Sequence, residues 1–262
     1  MKKIIKKAMC LLMTLCCAVA CMSFVACENL QTVEIKVLAN GTEYTMNVDL
    51  YKHLAPKTCK IIEQYIKDGY YDNMLIYKNS SYSSQLMFGD LKLDGDNVVL
   101  TDVKDTIYGE FEKNGTTGSN LVSEKGTLGM WRSYSAADSG SNTYKASNGM
   151  NSARSTIYMP TDSISDYTGY FCVFACYDVD DTANSETVEA LTSVFSNNDN
   201  YKEYAVYYTG EYGNLEFHCI LEDDFDDVED TAFVAEGDQL VCYNKQTVKI
   251  STTTKIVSIK IK

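Results

Sequence analysis

The sequence has few basic side chains, so most of its formal charge is negative. From residue 27 to the end of the chain, 19 Lys and Arg residues stand against 36 Asp and Glu residues, a net charge of −17. Binding to a phosphate backbone needs clustered Lys and Arg, which this composition does not supply. We therefore expect no nucleic acid partner. The chain is nevertheless 45% hydrophobic over 262 residues, enough to bury a core, which excludes global disorder.

The sequence also lacks the spacings that are typical of metal sites. It contains no C-x-x-C pair and no Cys/His spacing that suggests zinc. Seven of the nine residues from Glu222 to Asp230 are acidic, which could attract calcium, but the D-x-D-x-D-G spacing is absent. Such runs are usually solvated loops, so we expect neither a metal nor another cofactor.

Cysteine is plentiful, but half of it lies in the first 27 residues. The other five are Cys59, Cys172, Cys176, Cys219 and Cys242, an odd number that cannot all pair. Cys172 and Cys176 lie on a predicted strand, about 13 Å apart, which is too far for a disulfide. We interpret Cys59, Cys172 and Cys176 as small core residues. Only Cys219 and Cys242 remain as a candidate disulfide pair.

The N-terminus has the pattern of an export signal. Four lysines in the first seven residues precede an uncharged apolar run, residues 8–26, and polarity begins after Cys27. Ala26-Cys27 resembles the lipobox of bacterial lipoproteins, in which the cysteine is acylated, although Ala20-Cys21 is a competing box and a membrane-spanning helix is an alternative. We expect a signal peptide over 1–26, a tether over 27–31, and an exported protein anchored by Cys27 to the outer face of the membrane.

The rest of the chain, residues 32–262, alternates mainly between strand and turn signals. Residues 32–38 and 43–50 alternate apolar and polar residues around Asn40-Gly41, which predicts a β-hairpin. Helical spacing predicts one helix over about 56–68 and a second over 185–196, with Ser185 as its N-cap. Short strands are expected between them, and a final strand over 247–262.

An acidic segment separates the second predicted helix from the final strand. Residues 199–243 contain 13 acidic residues and one lysine, a net charge of −12, which is most of the net charge of −17 from residue 27 onward. Parts of this segment look strand-like, but we expect it to be dispensable for the fold, because closing a shorter loop there costs little.

Several short segments together resemble the cyclophilin-type peptidyl-prolyl isomerases. In the order of that family they are Ala55-Pro56-Lys57-Thr58, Gly69-Tyr70-Tyr71-Asp72, Gly89-Asp90, Tyr108-Gly109-Glu110-Phe111 with Asn114-Gly115, Gly126-Thr127-Leu128-Gly129-Met130, Asn151-Ser152-Ala153 and Val173-Phe174. The resemblance implies a mainly β fold: a closed eight-stranded antiparallel barrel capped by two helices, with residues 199–243 inserted before the last strand.

The same resemblance indicates where the family's site residues would fall, and most of them differ here. Lys78 takes the place of the catalytic arginine, and Met87 that of a glutamine donor. A lysine keeps the charge but loses the planar fork of arginine, and methionine cannot donate a hydrogen bond. The remaining positions of the expected substrate groove are Ser84, Gln85, Trp131, Arg132, Thr156, Tyr158, Asp166 and Phe171.

These substitutions leave three functional hypotheses. The first is an isomerase that acts on X–Pro bonds of exported proteins. Its activity is expected to be weak or lost, because the reaction needs a proline pocket and a donor that stabilises the twisted amide, and the residues at those positions are substituted. The second is a lipoprotein that binds a peptide or protein without turnover. The third is a purely structural lipoprotein, in which Trp131 fills the groove. In each case we expect a monomer.

Overall fold

The computed structural model describes residues 30–102, 104–116, 121–132, 149–164, 167–211, 214–225 and 243–262. The predicted lipidation site Cys27, the groove residue Asp166, Cys242 and most of the acidic run lie outside these ranges. Within them, no helix is long and apolar enough to cross a membrane.

The described residues form twelve strands and two helices of three or more turns. The strands are β1 (Leu30–Ala39), β2 (Thr42–Tyr51), β3 (Leu75–Asn79), β4 (Gln85–Phe88), β5 (Leu91–Asp94), β6 (Asn97–Leu100), β7 (Thr127–Met130), β8 (Ile157–Pro160), β9 (Cys172–Cys176), β10 (Lys202–Glu211), β11 (Asn214–Leu221) and β12 (Tyr243–Ile261). The helices are α1 (Pro56–Lys67) and α2 (Thr182–Val194).

Eight of these strands close into an antiparallel barrel. Their order is β1-β2-β9-β7-β8-β4-β3-β12, and β12 pairs back onto β1. Closure removes free strand edges, which otherwise invite aggregation. The predicted eight-stranded barrel is confirmed.

The first hairpin follows the sequence pattern. Asn40 and Gly41 both adopt positive φ angles, 48° and 83°, as a two-residue type I′ turn requires. This turn sets a ladder of ten pairs between β1 and β2, from Leu30 opposite Tyr51 to Ala39 opposite Thr42. Strand β1 begins at Leu30, so it includes the last two residues of the predicted tether.

Both helices pack on the apolar core of the barrel. Pro56 stands at the start of α1, where its missing N–H costs nothing, and Cys59, Ile62 and Ile66 are buried. Cys172 is buried as well, while Cys176 is only half-buried, and both thiols are free, as is that of Cys219.

The start of α2 corrects one prediction. Asp181 is the N-cap, since its carboxylate accepts a hydrogen bond from the backbone N–H of Asn184. Ser185 lies inside the first turn, and its hydroxyl donates to the carbonyl of Thr182. A serine in the first turn can satisfy itself in this way, so it need not mark the helix start.

The described part of the acidic segment contains two long strands. β10 pairs with the first half of β12, and β11 pairs with β10, so the two strands extend the sheet beyond the closed barrel. The side of this hairpin that carries Tyr204, Val206, Phe217 and Cys219 packs on a second apolar core outside the barrel, which we call the outer cluster. Its buried members are Leu75, Tyr77, Met87, Leu91, Val98, Tyr158, Tyr167, Phe171, Val248 and Ile250.

Candidate functional site

A cavity of about 360 Å³ opens on the outer face of the barrel, next to the outer cluster. The barrel strands β3, β4 and β12 form its floor, and the hairpins β5–β6 and β10–β11 contribute to its walls. It is lined by Tyr77, Asn79, Met87, Asp90, Leu91, Leu100, Thr101, Asp102, Lys104, Trp131, Ser152, Arg154, Ser155, Thr156, Val206, Phe217, Gln246 and Val248. Three residues of the predicted groove, Met87, Trp131 and Thr156, meet there.

The alternation of side chains along β3 decides which residues reach this cavity. Tyr77 and Asn79 line it, while Ile76 points into the barrel core. Lys78, on the same side as Ile76, is not among the lining residues; its half-buried side chain lies on a strand position opposite Lys249. Burial, followed by the charge of Lys249, lowers the pKa of Lys78. Tyr77, and not Lys78, therefore lines the cavity.

The same alternation on β4 places Met87 in the cavity and Leu86 and Phe88 in the barrel core. Gln85 lies two residues earlier, is fully buried, and neither atom of its side-chain amide has a hydrogen-bond partner among the described residues. Ser84 is half-buried, and its carbonyl accepts a hydrogen bond from the N–H of Thr161. Neither Gln85 nor Ser84 lines the cavity.

Aromatic rings fill the region where the resemblance places a proline ring. The ring centroid of Trp131 lies 6.4 Å from that of Tyr158, 6.3 Å from Tyr167 and 5.6 Å from Phe171. Tyr167 and Phe171 stack at 4.2 Å. Tyr158 is completely buried, and its hydroxyl shares a 2.7 Å hydrogen bond with Ser123. The expected aromatic floor is thus covered by other rings.

Gly129 makes room for this arrangement. A Cβ at that position would lie 2.3 Å from the ring of Tyr158, a distance that real Cβ atoms essentially never show. The glycine of β7 therefore lets the Tyr158 ring lie against the backbone.

The two arginines of the chain have different surroundings. Arg132 is buried, its Nε donates to the carbonyl of Tyr170 at 3.0 Å, and its guanidinium lies 5.1 Å from the Phe171 ring. It does not line the cavity. Arg154 does, and its guanidinium donates to the carbonyl of Lys104. The cationic end of the cavity is therefore built by Arg154 and Lys104.

The carboxyl group of Asp90 is hydrogen-bonded to two other lining residues, Tyr77 and Thr156. Oδ2 of Asp90 accepts hydrogen bonds from the hydroxyl of Tyr77 at 3.0 Å and from that of Thr156 at 3.2 Å. Burial raises the pKa of Asp90 to about 6, against the lowering effect of these hydrogen bonds. Asp90 can therefore change its charge near neutral pH.

Sequence reasoning missed several lining residues. Asp90 entered only through the Gly89-Asp90 segment of the family resemblance, and Arg154 was given no place in the groove. Val206 and Phe217 belong to the acidic segment, whose position against the barrel no local pattern indicates.

Comparison with known proteins finds a family model that is similar to part of the chain. Residues 33–157 match the family model described as cyclophilin type peptidyl-prolyl cis-trans isomerase/CLD. None of the curated proteins matches the chain.

Two solved structures of a cyclophilin type peptidyl-prolyl cis-trans isomerase from Cryptosporidium parvum also resemble the chain. The first is 16% identical and covers 82% of this chain and 98% of its own, with a TM-score of 0.44. The second, determined in the presence of the dipeptide Ala-Pro, is 21% identical and covers 61% and 85%, with a TM-score of 0.40. Residues 33–157, just under half of the chain, are thus similar to the cyclophilin type peptidyl-prolyl cis-trans isomerases.

Proposed function

We propose that the chain is a weak peptidyl-prolyl cis-trans isomerase that acts on X–Pro segments of exported proteins. The observation that carries the proposal is the cavity on the outer face of the barrel, in which Met87, Trp131 and Thr156 converge. These residues occupy positions that the family resemblance assigns to the substrate groove. A cavity of about 360 Å³ is within the usual size of a small-molecule or peptide side-chain site.

Prolyl isomerisation needs few catalytic groups. Rotation about an X–Pro bond breaks no covalent bond, and its barrier of about 18 to 20 kcal/mol comes from amide resonance. A catalyst must hold the proline and stabilise the twisted amide more than the planar one, for which an oriented hydrogen-bond donor suffices.

The donors of this cavity explain why we expect slow turnover. Lys78 does not line the cavity, Met87 cannot donate, and Arg132 is buried away from it. Losing one preorganised donor typically costs about 3 to 4 kcal/mol, roughly a hundred- to a thousandfold in rate. Arg154 is the guanidinium that remains in the cavity.

The aromatic packing supports the second hypothesis, binding without turnover. Tyr158 is fully buried under Trp131 and its neighbours, so a proline ring would have to rest on Trp131 or displace it. In that case the cavity would hold a peptide segment without placing its proline as the isomerases do.

The proposal also includes the setting of the domain. Export, acylation of Cys27 and a monomeric state rest on the sequence pattern alone. A lipid-anchored domain would meet proteins as they fold outside the membrane.

A protease-free isomerisation assay distinguishes the two hypotheses. The chain from residue 28 onward would be mixed with an acetyl-Ala-Ala-Pro-Phe-amide peptide, and the cis–trans exchange rate measured by NMR. We expect exchange faster than in peptide alone, but far slower than with a cyclophilin that has its arginine. Peptide binding without faster exchange would favour the second hypothesis, binding without turnover. If the protein neither binds the peptide nor speeds its exchange, both hypotheses are contradicted.

A further inference from the structure

Lys104 and Arg154 form a cationic corner of the cavity that is open to solvent. Both residues line the cavity; the side chain of Arg154 is exposed and that of Lys104 is half-buried. The acidic lining residues are Asp90 and Asp102, and within the described ranges no carboxylate forms an ion pair with either cation. A ligand that enters from solvent can therefore reach two positive charges that lack a paired anion there.

Hydrogen bonds and a ring contact hold this corner in place. The guanidinium of Arg154 donates to the backbone carbonyl of Lys104, and the ammonium of Lys104 lies 4.4 Å from the centre of the Tyr70 ring. The hydroxyl of Tyr70 lies 2.8 Å from that of Thr101 and 3.0 Å from that of Ser155, which both line the cavity. One tyrosine thus connects the segments that carry the two cations, so ligand binding needs little further ordering of them.

The charge of the corner is opposite to that of the chain as a whole, which is −17 from residue 27 onward. At about 0.15 M salt, exposed charges are screened beyond roughly 8 Å, so a group bound in the corner responds mainly to Arg154 and Lys104. A guanidinium has five N–H donors in a planar fork that matches a carboxylate, and the bond to Lys104 uses one of them. A carboxylate is therefore the ligand group that suits this corner.

We propose that Arg154 and Lys104 are specificity residues of the cavity, which select X–Pro segments that carry an acidic side chain next to the proline. The inference rests on the proposed function and names its class of substrates. The carboxylate of a substrate Asp or Glu accepts hydrogen bonds from the guanidinium, and the ammonium adds a second positive charge. The proline lies toward Trp131, which lines the same cavity. Asp102, an exposed lining residue, opposes this preference.

The single tryptophan makes the inference testable, because peptide binding next to Trp131 changes its fluorescence. The full chain, purified in detergent, would be titrated with two matched pairs of peptides. In the first pair, acetyl-Ala-Glu-Pro-Phe-amide is compared with acetyl-Ala-Gln-Pro-Phe-amide. In the second pair, acetyl-Ala-Ala-Pro-Glu-amide is compared with acetyl-Ala-Ala-Pro-Gln-amide.

In at least one pair, the Glu peptide should bind more tightly than the Gln peptide. At about 0.15 M NaCl and neutral pH we expect a ratio of roughly three to ten, as for one partly exposed ion pair. At about 1 M NaCl the ratio should fall below about two, because salt screens the charges. The net charge of the chain alone predicts the opposite order, since it repels the Glu peptide.

Matched variants separate this role from an effect of overall charge. Arg154→Gln should abolish the preference for Glu, Arg154→Lys should keep part of it, and Arg154→Glu should reverse it. Lys104→Gln should reduce the preference, and Asp102→Asn should increase it. Lys260→Gln is the control, because it removes one positive charge at an exposed position of β12 that does not line the cavity. This control should keep the wild-type preference.

Each outcome decides between the proposals. Equal binding of Glu and Gln peptides in both pairs would overturn the role of the cationic corner and leave the proposed function standing. A preference for Glu that survives in both Arg154→Gln and Lys104→Gln would also overturn that role. If the wild type binds none of the four peptides, both proposals are overturned.

Discussion

At the scale of single residues, Trp131 lies between the cavity and a group of buried aromatic rings. Its ring contacts Tyr158, Tyr167 and Phe171, and it lines the cavity as well. Because Tyr158 is completely buried beneath this group, the aromatic floor expected for a proline ring is present but covered. We therefore expect residue size, together with the missing donors, to limit turnover in this cavity.

Replacing Trp131 by alanine should open this floor. We expect Trp131→Ala to raise kcat/KM for an X–Pro peptide severalfold, at a stability cost of about 1 to 3 kcal/mol from lost packing. Isomerisation by NMR and urea unfolding would measure the two effects. Tyr82→Ala is the matched control, because Tyr82 contacts Trp131 at 4.9 Å but does not line the cavity. An unchanged or lower rate in Trp131→Ala would show that the indole helps binding instead.

A second pair of variants distinguishes neighbouring positions of β3. We expect Lys78→Arg to leave isomerisation unchanged within about twofold, because Lys78 is not among the cavity residues. Tyr77→Arg places a guanidinium inside the cavity, beside Asp90, and should raise the rate roughly tenfold, part of the hundredfold or more that one oriented donor supplies. The exchange assay above would compare both variants. A gain in Lys78→Arg with none in Tyr77→Arg would contradict this placement of the site.

At the scale of elements, the β10–β11 hairpin is an addition to the barrel that forms part of the cavity. It pairs with β12 outside the eight closed strands, so we expect the barrel to close without it. Val206 and Phe217 nevertheless line the cavity and pack on the outer cluster. That residues 199–243 are dispensable for closing the barrel stays a prediction. The contacts of Val206 and Phe217 with the cavity were not expected from the sequence.

Replacing residues 199–243 by a Gly/Ser linker tests this division. A linker of about ten residues is needed, because Lys202 lies opposite Ile250, roughly 20 Å along β12 from residue 244. We expect one cooperative urea transition, with lower stability since the outer cluster loses its cover, and at least severalfold weaker peptide binding. Phe217→Ala is the milder comparison, with a loss of about 1 to 3 kcal/mol. Loss of any cooperative transition would show that the hairpin belongs to the folding unit.

At the scale of the whole molecule, the acidic barrel and the basic, apolar N-terminus suit different surroundings. The net charge from residue 27 onward is −17, which favours contact with water, whereas residues 8–26 carry no charge at all. A lipid anchor at Cys27 would join the two. One acyl chain binds a membrane only marginally, and several chains on one terminus hold it firmly.

The anchor can be tested in a bacterial host. Wild-type protein should partition into detergent with the membrane fraction and incorporate labelled fatty acid, and Cys27→Ser should abolish both. Cys21→Ser is the matched control and should be labelled normally. Labelling that survives in Cys27→Ser but is lost in Cys21→Ser would move the lipidation site to Cys21.

The sequence by itself determined the elements whose signals are local. Asn40-Gly41 fixed the first hairpin, and Pro56 with its helical spacing fixed α1. Local signals suffice there because turn geometry and apolar periodicity depend on neighbours in the chain. The closed barrel, by contrast, was predicted from the family resemblance.

Only the tertiary structure decided the composition of the site. A shift of one residue along a strand exchanges its faces, so a motif count that ends on Lys78 cannot show that Tyr77 faces the cavity. The hydrogen bonds of Asp90 connect β3, the end of β4 and the start of β8. Val206 and Phe217, which line the same cavity, lie more than 100 positions after Asp90 in the chain. Such contacts exist only once the chain is folded, because burial and side-chain partners are set by distant segments packed together.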